Sequence, residues 1–166
     1  MIAKGLTGFI NHFVKQMNSF IKTIWLYPLE LVPIVPSEEG IDLDFKFEVK
    51  LNDSILISDI SKTSSAMKEI IDLAFKVTSM KYLGLQEAPL YLDEFGVKLD
   101  SEHRRSAFYA INNLITNSNF SQIFRISPYE NTYGSLRNTD ITVLSATNVN
   151  LPKDLDYNQN TNFQHA

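Results

Sequence analysis

Residues Pro89–Asp100 read PLYLDEFGVKLD. Leu90, Tyr91 and Leu92, led in by Pro89, have the short, apolar, unalternating character of a strand covered on both faces. That strand runs straight into two adjacent acids, Asp93 and Glu94, followed by an aromatic, a glycine and Asp100. In parallel sheets flanked by helices, chemistry gathers where strands end at their carboxyl edge. A pair of carboxylates at such an edge can divide labour, one holding a cation and its neighbour orienting water. Taken alone, the pattern fits equally an unrelated metal site or a strand reaching solvent.

The residues on either side of this stretch define the architecture. Leu6, Ile10, Phe13, Met17, Phe20 and Ile24 alternate spacings of four and three, with Phe9, Val14, Ile21 and Trp25 widening the stripe. This predicts a helix over about 5–26, either packed on its own domain or forming the base of a coiled coil. Three prolines in LYPLELVPIVP then break the pattern. Ile41 to Leu51 alternate apolar and charged residues, the period of a strand with one wet face. Asn52-Asp53-Ser54 supplies a turn and SILIS a second strand, predicting an antiparallel hairpin. Ser64 to Met80 is helical in period, with serines placed to cap it. Residues 102–116 form another helical stretch, with Asp100 or Ser101 as cap. SQIFRIS reads as a strand, YENTYGSLRN as a turn or short helix, and DITVLS as a last strand. The sequence predicts a layered α/β domain with a largely parallel sheet, organised as a helix over 1–27, a lobe over 28–148 and a polar tail without period over 149–166.

Bulk properties narrow the function. The chain has 166 residues, 44% hydrophobic and 20% charged, an ordinary globular composition. Its formal net charge of −4 argues against coating nucleic acid by bulk charge. Without cysteines it has neither disulfides nor thiolate metal sites. No apolar run approaches the roughly 18 residues that span a bilayer, and the N-terminus lacks the apolar centre and cleavage site of a signal peptide. The expectation is a cytoplasmic protein without membrane contact.

Taken in order, SSAMKEIIDLAF, PLYLDEFGVKLD and SQIFRIS resemble the C-terminal half of an ATP-binding-cassette head in the SMC-like DNA repair ATPases. The nearest likeness is to the ATPase subunit of phage recombination exonucleases, and it extends from about Phe9 to Asn148. The resemblance implies Mg²⁺ and ATP as cofactors, with Asp93 as the Walker B aspartate facing magnesium and Glu94 as general base. It places Gly96 to Asp100 as the D-loop. Thr63-Ser64-Ser65-Ala66-Met67 falls at the signature that in the family grips the γ-phosphate of ATP on an opposed head, with Ser64 matching its serine. Partners implied are a second head, a nuclease subunit and, through the complex, DNA. The N-terminal helix would be the returning end of a coiled coil.

Three departures qualify it. None of the six glycines opens a G-x-x-x-x-G-K-[ST] phosphate loop, so an N-terminal lobe carrying that loop must come from elsewhere, and the chain alone should not hydrolyse ATP. Where the family places Ser-His after the strand, this chain has Ser127-Pro128 at the switch position, and proline offers no donor. Ser65-Ala66 stand where the broader superfamily prefers two glycines. The alternative is a non-catalytic interaction module that keeps the head-like fold. A metal-dependent nuclease is a third reading, and it lacks converging carboxylates or histidines. His103-Arg104-Arg105 reads as a solvated helix face.

Overall fold

The computed structural model describes residues 2–33, 46–52, 54–117, 120–127, 140–143 and 163–165. Its elements are α1 (Ile2–Ile24), β1 (Glu30–Leu31), β2 (Val49–Lys50), β3 (Leu56–Ile57), a 3₁₀ turn (Ile60–Lys62), α2 (Ser65–Tyr82), β4 (Leu90–Leu92), α3 (Ser101–Asn117), β5 (Ile123–Arg125), β6 (Ile141–Val143) and β7 (Phe163–His165). The fold is mixed α/β, with an antiparallel sheet β1-β2-β3 and two parallel pairs, β4-β5 and β6-β7. Residues 1–126 and 127–166 form two compact units.

In the first unit α1 packs on α2, α3 and β1. Val14, Met17, Ile21 and Ile24 are its deepest apolar residues, joined by Thr7 and Asn18. The buried stripe is therefore rotated from the one expected: Leu6 is exposed and Ile10, Phe13 and Phe20 are half-buried. A stripe this wide gives two candidate seams, and the one that wins contains an asparagine. Asn18 donates from Nδ2 to Leu31 O (2.8 Å) and accepts from Leu31 N–H at Oδ1 (2.8 Å). Val32 N–H, by contrast, bonds Glu48 O across to β2. Successive residues of a strand point their backbone groups to opposite sides, so the carboxamide closes the outer edge of β1 as another strand would.

The hairpin forms as expected, with Val49 opposite Ile57 and Lys50 opposite Leu56. Asn52 Oδ1 accepts from the N–H groups of Ser54 and Ile55, both at 2.9 Å, and fixes the turn. Residues 41–45 of the expected strand lie outside the described residues, and among those described Val49–Lys50 forms the strand. YENTYGSLRN (129–138) and most of the 149–166 tail also lie outside them, although Phe163–His165 pairs in parallel with β6.

α2 presents Ile70, Ile71, Leu73, Ala74 and Val77 to the core, and α3 presents Ala107, Phe108, Ala110, Ile111 and Leu114. Above them β4 and β5 run parallel, Leu90 opposite Ile123 and Leu92 opposite Arg125. Burial along β4 corrects the expectation of a strand covered on both sides. Leu90 and Leu92 are buried, whereas Tyr91 is 65% exposed and stacks on Phe124 with ring centroids 5.0 Å apart. Among the described residues no helix is long and apolar enough to cross a membrane.

Candidate functional site at the end of β4

β4 stops at Leu92, whose carbonyl accepts from Ile126 N–H (2.9 Å), and the chain then turns. Asp93 and Glu94 are both exposed. Glu94 has φ 48°, a left-handed conformation uncommon outside glycine. The two acids are thus divided by a turn at Glu94, not by the pleat of a continuing strand.

The turn is held from two sides. Glu69 on α2 accepts from Gly96 N–H at Oε1 (2.7 Å) and from Lys98 N–H at Oε2 (3.3 Å). Arg104 on α3 donates from Nε to Gly96 O (2.8 Å) and from Nη2 to Leu99 O (2.6 Å). Gly96 lies between these grips with φ 92°; a Cβ there would sit 3.3 Å from both Arg104 Cγ and Phe108 Cζ. Only glycine meets both demands without strain.

Asp100 ends the turn as the N-cap of α3. Its Oδ1 accepts from Glu102 N–H (3.0 Å) and His103 N–H (2.9 Å), and its Oδ2 lies 2.5 Å from His103 Nδ1. The N–H of His103, with its ring second, lowers the carboxyl of Asp100 below its ordinary value. His103 corrects the reading of a solvated face. It is 2% exposed, stacked on Trp25 at 4.1 Å with Tyr27 at 5.4 Å, and so ties the end of α1 to the start of α3. Its Nε2 and Trp25 Nε1 are buried without a partner among the described residues.

Ser64 caps α2: its Oγ accepts from Met67 N–H at 3.2 Å. Ser64 and Ser65 are exposed, and Ala66 and Met67 are half-buried. A helix start leaves free N–H groups on its first residues, a local anion-attracting feature. Ser127 is half-buried, and Pro128 lies outside the described residues.

A cleft of about 330 Å³ joins α2 to the turn. Lys68, Glu69, Asp72 and Lys76 line it from α2, Asp93 and Lys98 from the turn, and Leu73, Leu92 and Phe95 form its apolar floor. Glu69 is committed to the two backbone N–H groups, and Asp72 pairs with Lys76 at 2.8 Å. Lys68, Lys98 and Asp93 make no ion pair among the described residues. Asp93 therefore enters the cleft, while Ser64 to Met67, Glu94, Gly96 and Asp100 do not line it.

No group of three His, Cys, Asp or Glu side chains converges on a metal position among the described residues. Magnesium usually takes one or two carboxylates and fills its shell with water and phosphate oxygens. Among the described residues Asp93 is the one carboxylate of this cleft without another partner, so the protein would offer such an ion a single ligand.

No family model matches the chain, and no curated protein sequence does either.

Glu69 and Arg104 are the residues that sequence reasoning missed. Glu69 falls on the polar side of its helix, and no local pattern marks a carboxylate that binds amides 27 and 29 positions away. Arg104 had a signal in retrospect: a charged residue eight places after a glycine, one turn into the next helix.

Proposed function

We propose that the chain is the C-terminal lobe of a composite, SMC-like ATP-binding-cassette ATPase acting in DNA recombination or repair. The observation that carries this reading is the end of β4, where a parallel pair delivers Asp93 and Glu94 onto a turn pinned by Glu69 and Arg104. Asp93 would hold magnesium and Glu94 would orient and deprotonate water. When bound, magnesium supplies charge neutralisation to the phosphates. The N-terminus of α2, Ser64 to Met67, would face the terminal phosphate of a nucleotide held by an opposed head. Gly96 to Asp100 would contribute the turn between heads. The missing phosphate loop belongs to an N-terminal lobe on another chain or segment. The open face of β4-β5 supports such a second lobe, because parallel sheets are normally covered on both sides. Nucleotide-driven engagement of two heads would then regulate a partner nuclease at DNA ends.

The second reading is a non-catalytic interaction module with the same fold. It is favoured by Asp100, both of whose carboxylate oxygens are already engaged within its own chain. Ser127-Pro128, which lacks a histidine donor, favours it too.

Mixing the chain with a separately expressed lobe that carries a phosphate loop and binds ATP distinguishes the two. ATP turnover should appear only in the mixture. It should fall by roughly a hundredfold or more with Glu94→Gln, the scale of a lost general base. Failure of the two lobes to associate, or association without turnover, would favour the second reading.

A further inference from the structure

Gly96 is gripped on both of its backbone groups by side chains of opposite sign. Glu69 on α2 takes its N–H at 2.7 Å, and Arg104 on α3 donates to its C=O at 2.8 Å. Hydrogen bonds to ionised partners are roughly twice as strong as neutral ones. Stability alone does not call for this clamp. Ile70, Ile71, Leu73 and Val77 already seat α2, and Phe95 and Leu99 seat the turn, all of them buried. What the clamp adds is control of backbone direction just after Glu94. That residue has φ 48°, and its own turn bond, from Val97 N–H to Glu94 O, is long at 3.3 Å. A left-handed backbone at a residue other than glycine persists only where its surroundings over-determine it.

We propose that Glu69 is a positioning residue for Glu94, and that through it the aim of Glu94 depends on the start of α2. This role rests on the reading of Glu94 as general base and of Ser64 to Met67 as facing an opposed nucleotide, and it supplies the link between them. Glu69 lies five residues after the cap Ser64, about 7.5 Å along the helix axis at 1.5 Å per residue. A displacement of that helix end reaches the Glu69 carboxylate, and from its two oxygens the N–H groups of Gly96 and Lys98. A carboxylate suits the task because both of its oxygens accept, whereas a carboxamide has one acceptor. The two bonds are unequal, 2.7 Å to Gly96 and 3.3 Å to Lys98, the second beyond the usual range for an N–H donor. The clamp is therefore half closed in the isolated chain and has room to tighten when α2 is engaged. Arg104, on a different helix, holds the far side of Gly96 and gives the turn a fixed point to move against. A staple that served stability alone would lower the folded fraction and leave the turnover of each folded molecule unchanged.

Hydrogen exchange by NMR in the full chain, and ATP turnover after mixing it with the phosphate-loop lobe, test this role. In the chain alone Glu69→Ala should speed exchange of the Gly96 and Lys98 amides roughly tenfold or more, the scale of a lost charge-assisted bond. The amides of Leu73 and Val77 should keep their protection. Glu69→Gln, with its single acceptor oxygen, should release Lys98 and retain Gly96. In the mixture kcat should fall roughly tenfold with Glu69→Ala and less with Glu69→Gln, at unchanged KM for ATP. An interaction that aims the base acts in the transition state and not in binding. ATP held unhydrolysed by Glu94→Gln should slow exchange at Gly96 and Lys98, and adding Glu69→Ala to that variant should abolish the slowing. A measurement on the unaltered chain guards against variants that fail to fold. As acid protonates the Glu69 carboxyl, followed through its own side-chain carbon, the amide protons of Gly96 and Lys98 should shift in step with it. Amides that do not follow Glu69, exchange unchanged in Glu69→Ala, no slowing on ATP, or a loss confined to KM or to the folded fraction would overturn the role. No turnover in the unaltered mixture would sink the ATPase reading and this role with it. Turnover that survives Glu69→Ala at full kcat would sink this role alone.

Discussion

The antiparallel sheet β1-β2-β3 and the parallel pair β4-β5 are finished in opposite ways. At the first, a side chain completes the structure: Asn18 supplies the donor and acceptor that the outer edge of β1 lacks, and Leu31 and Val49 are sealed beneath. At the second, two strands stand with no third among the described residues, and their outer face shows Tyr91 and Phe124 to solvent. Edges and faces left open in this way are costly in a free protein and useful in an assembling one. The order of the β4 end comes from helices below, through Glu69 and Arg104, and not from its own sheet.

Asn18→Leu should break the closed side. It would leave the N–H and C=O of Leu31 buried without partners, costing about 2–4 kcal/mol in urea unfolding. A loss under 0.5 kcal/mol would mean that the edge finds water instead, and the contrast between the two sheets would shrink.

Gly96→Ala tests whether the helices below organise the open side. The left-handed φ and the approach to Arg104 and Phe108 should together cost about 1–3 kcal/mol. Glu94→Gln turnover in the two-lobe mixture supplies the reference against which any accompanying loss of activity is read. A neutral Gly96→Ala would show a turn free to relax, and the double grip would not be an anchor.

Asp100 gives the same region a pH signature. Its folded-state carboxyl lies below the ordinary value, so its contribution is fully present above the usual carboxylate range and is lost as pH falls through the lowered value. Asp100→Asn keeps a capping oxygen and removes the charge. Its stability deficit, at most about 1 kcal/mol for so exposed a group, should be constant from pH 7 to about 5 and narrow below about 4. A deficit that stays constant through the acid range would assign the effect to geometry instead of charge.

How far the sequence could be read follows the range of the interactions. Helices α2 and α3 and the hairpin β2-β3 were legible because periodicity, serine and aspartate caps and the Asn52 turn act within a few residues. The rotation of α1 was not, since choosing between its two seams depends on Asn18 meeting Leu31, thirteen positions away. The Asp93-Glu94 pair was legible as a strand ending on acids. Its surroundings were not, because Glu69, Lys68 and Lys76 on α2 reach it only through tertiary packing. His103 was misread for the same reason: a run of His-Arg-Arg carries no sign that Trp25 will cover the ring.

The smallest expected effect bears most directly on the open face. Tyr91→Ser removes an aromatic ring that stacks on Phe124 but buries little else. In the isolated chain it should cost at most about 1 kcal/mol, the worth of one exposed aromatic pair, and a Tyr91→Ser/Phe124→Ser cycle should return a coupling no larger. In the presence of a second lobe the same substitution should weaken association by roughly tenfold or more, because aromatic residues desolvated on binding carry a disproportionate share of interface energy. The two measurements must diverge for the face to be a docking surface. A cost of several kcal/mol in the chain alone would mean that Tyr91 is already covered in solution, and the parallel pair would then be as finished as the sheet that Asn18 closes.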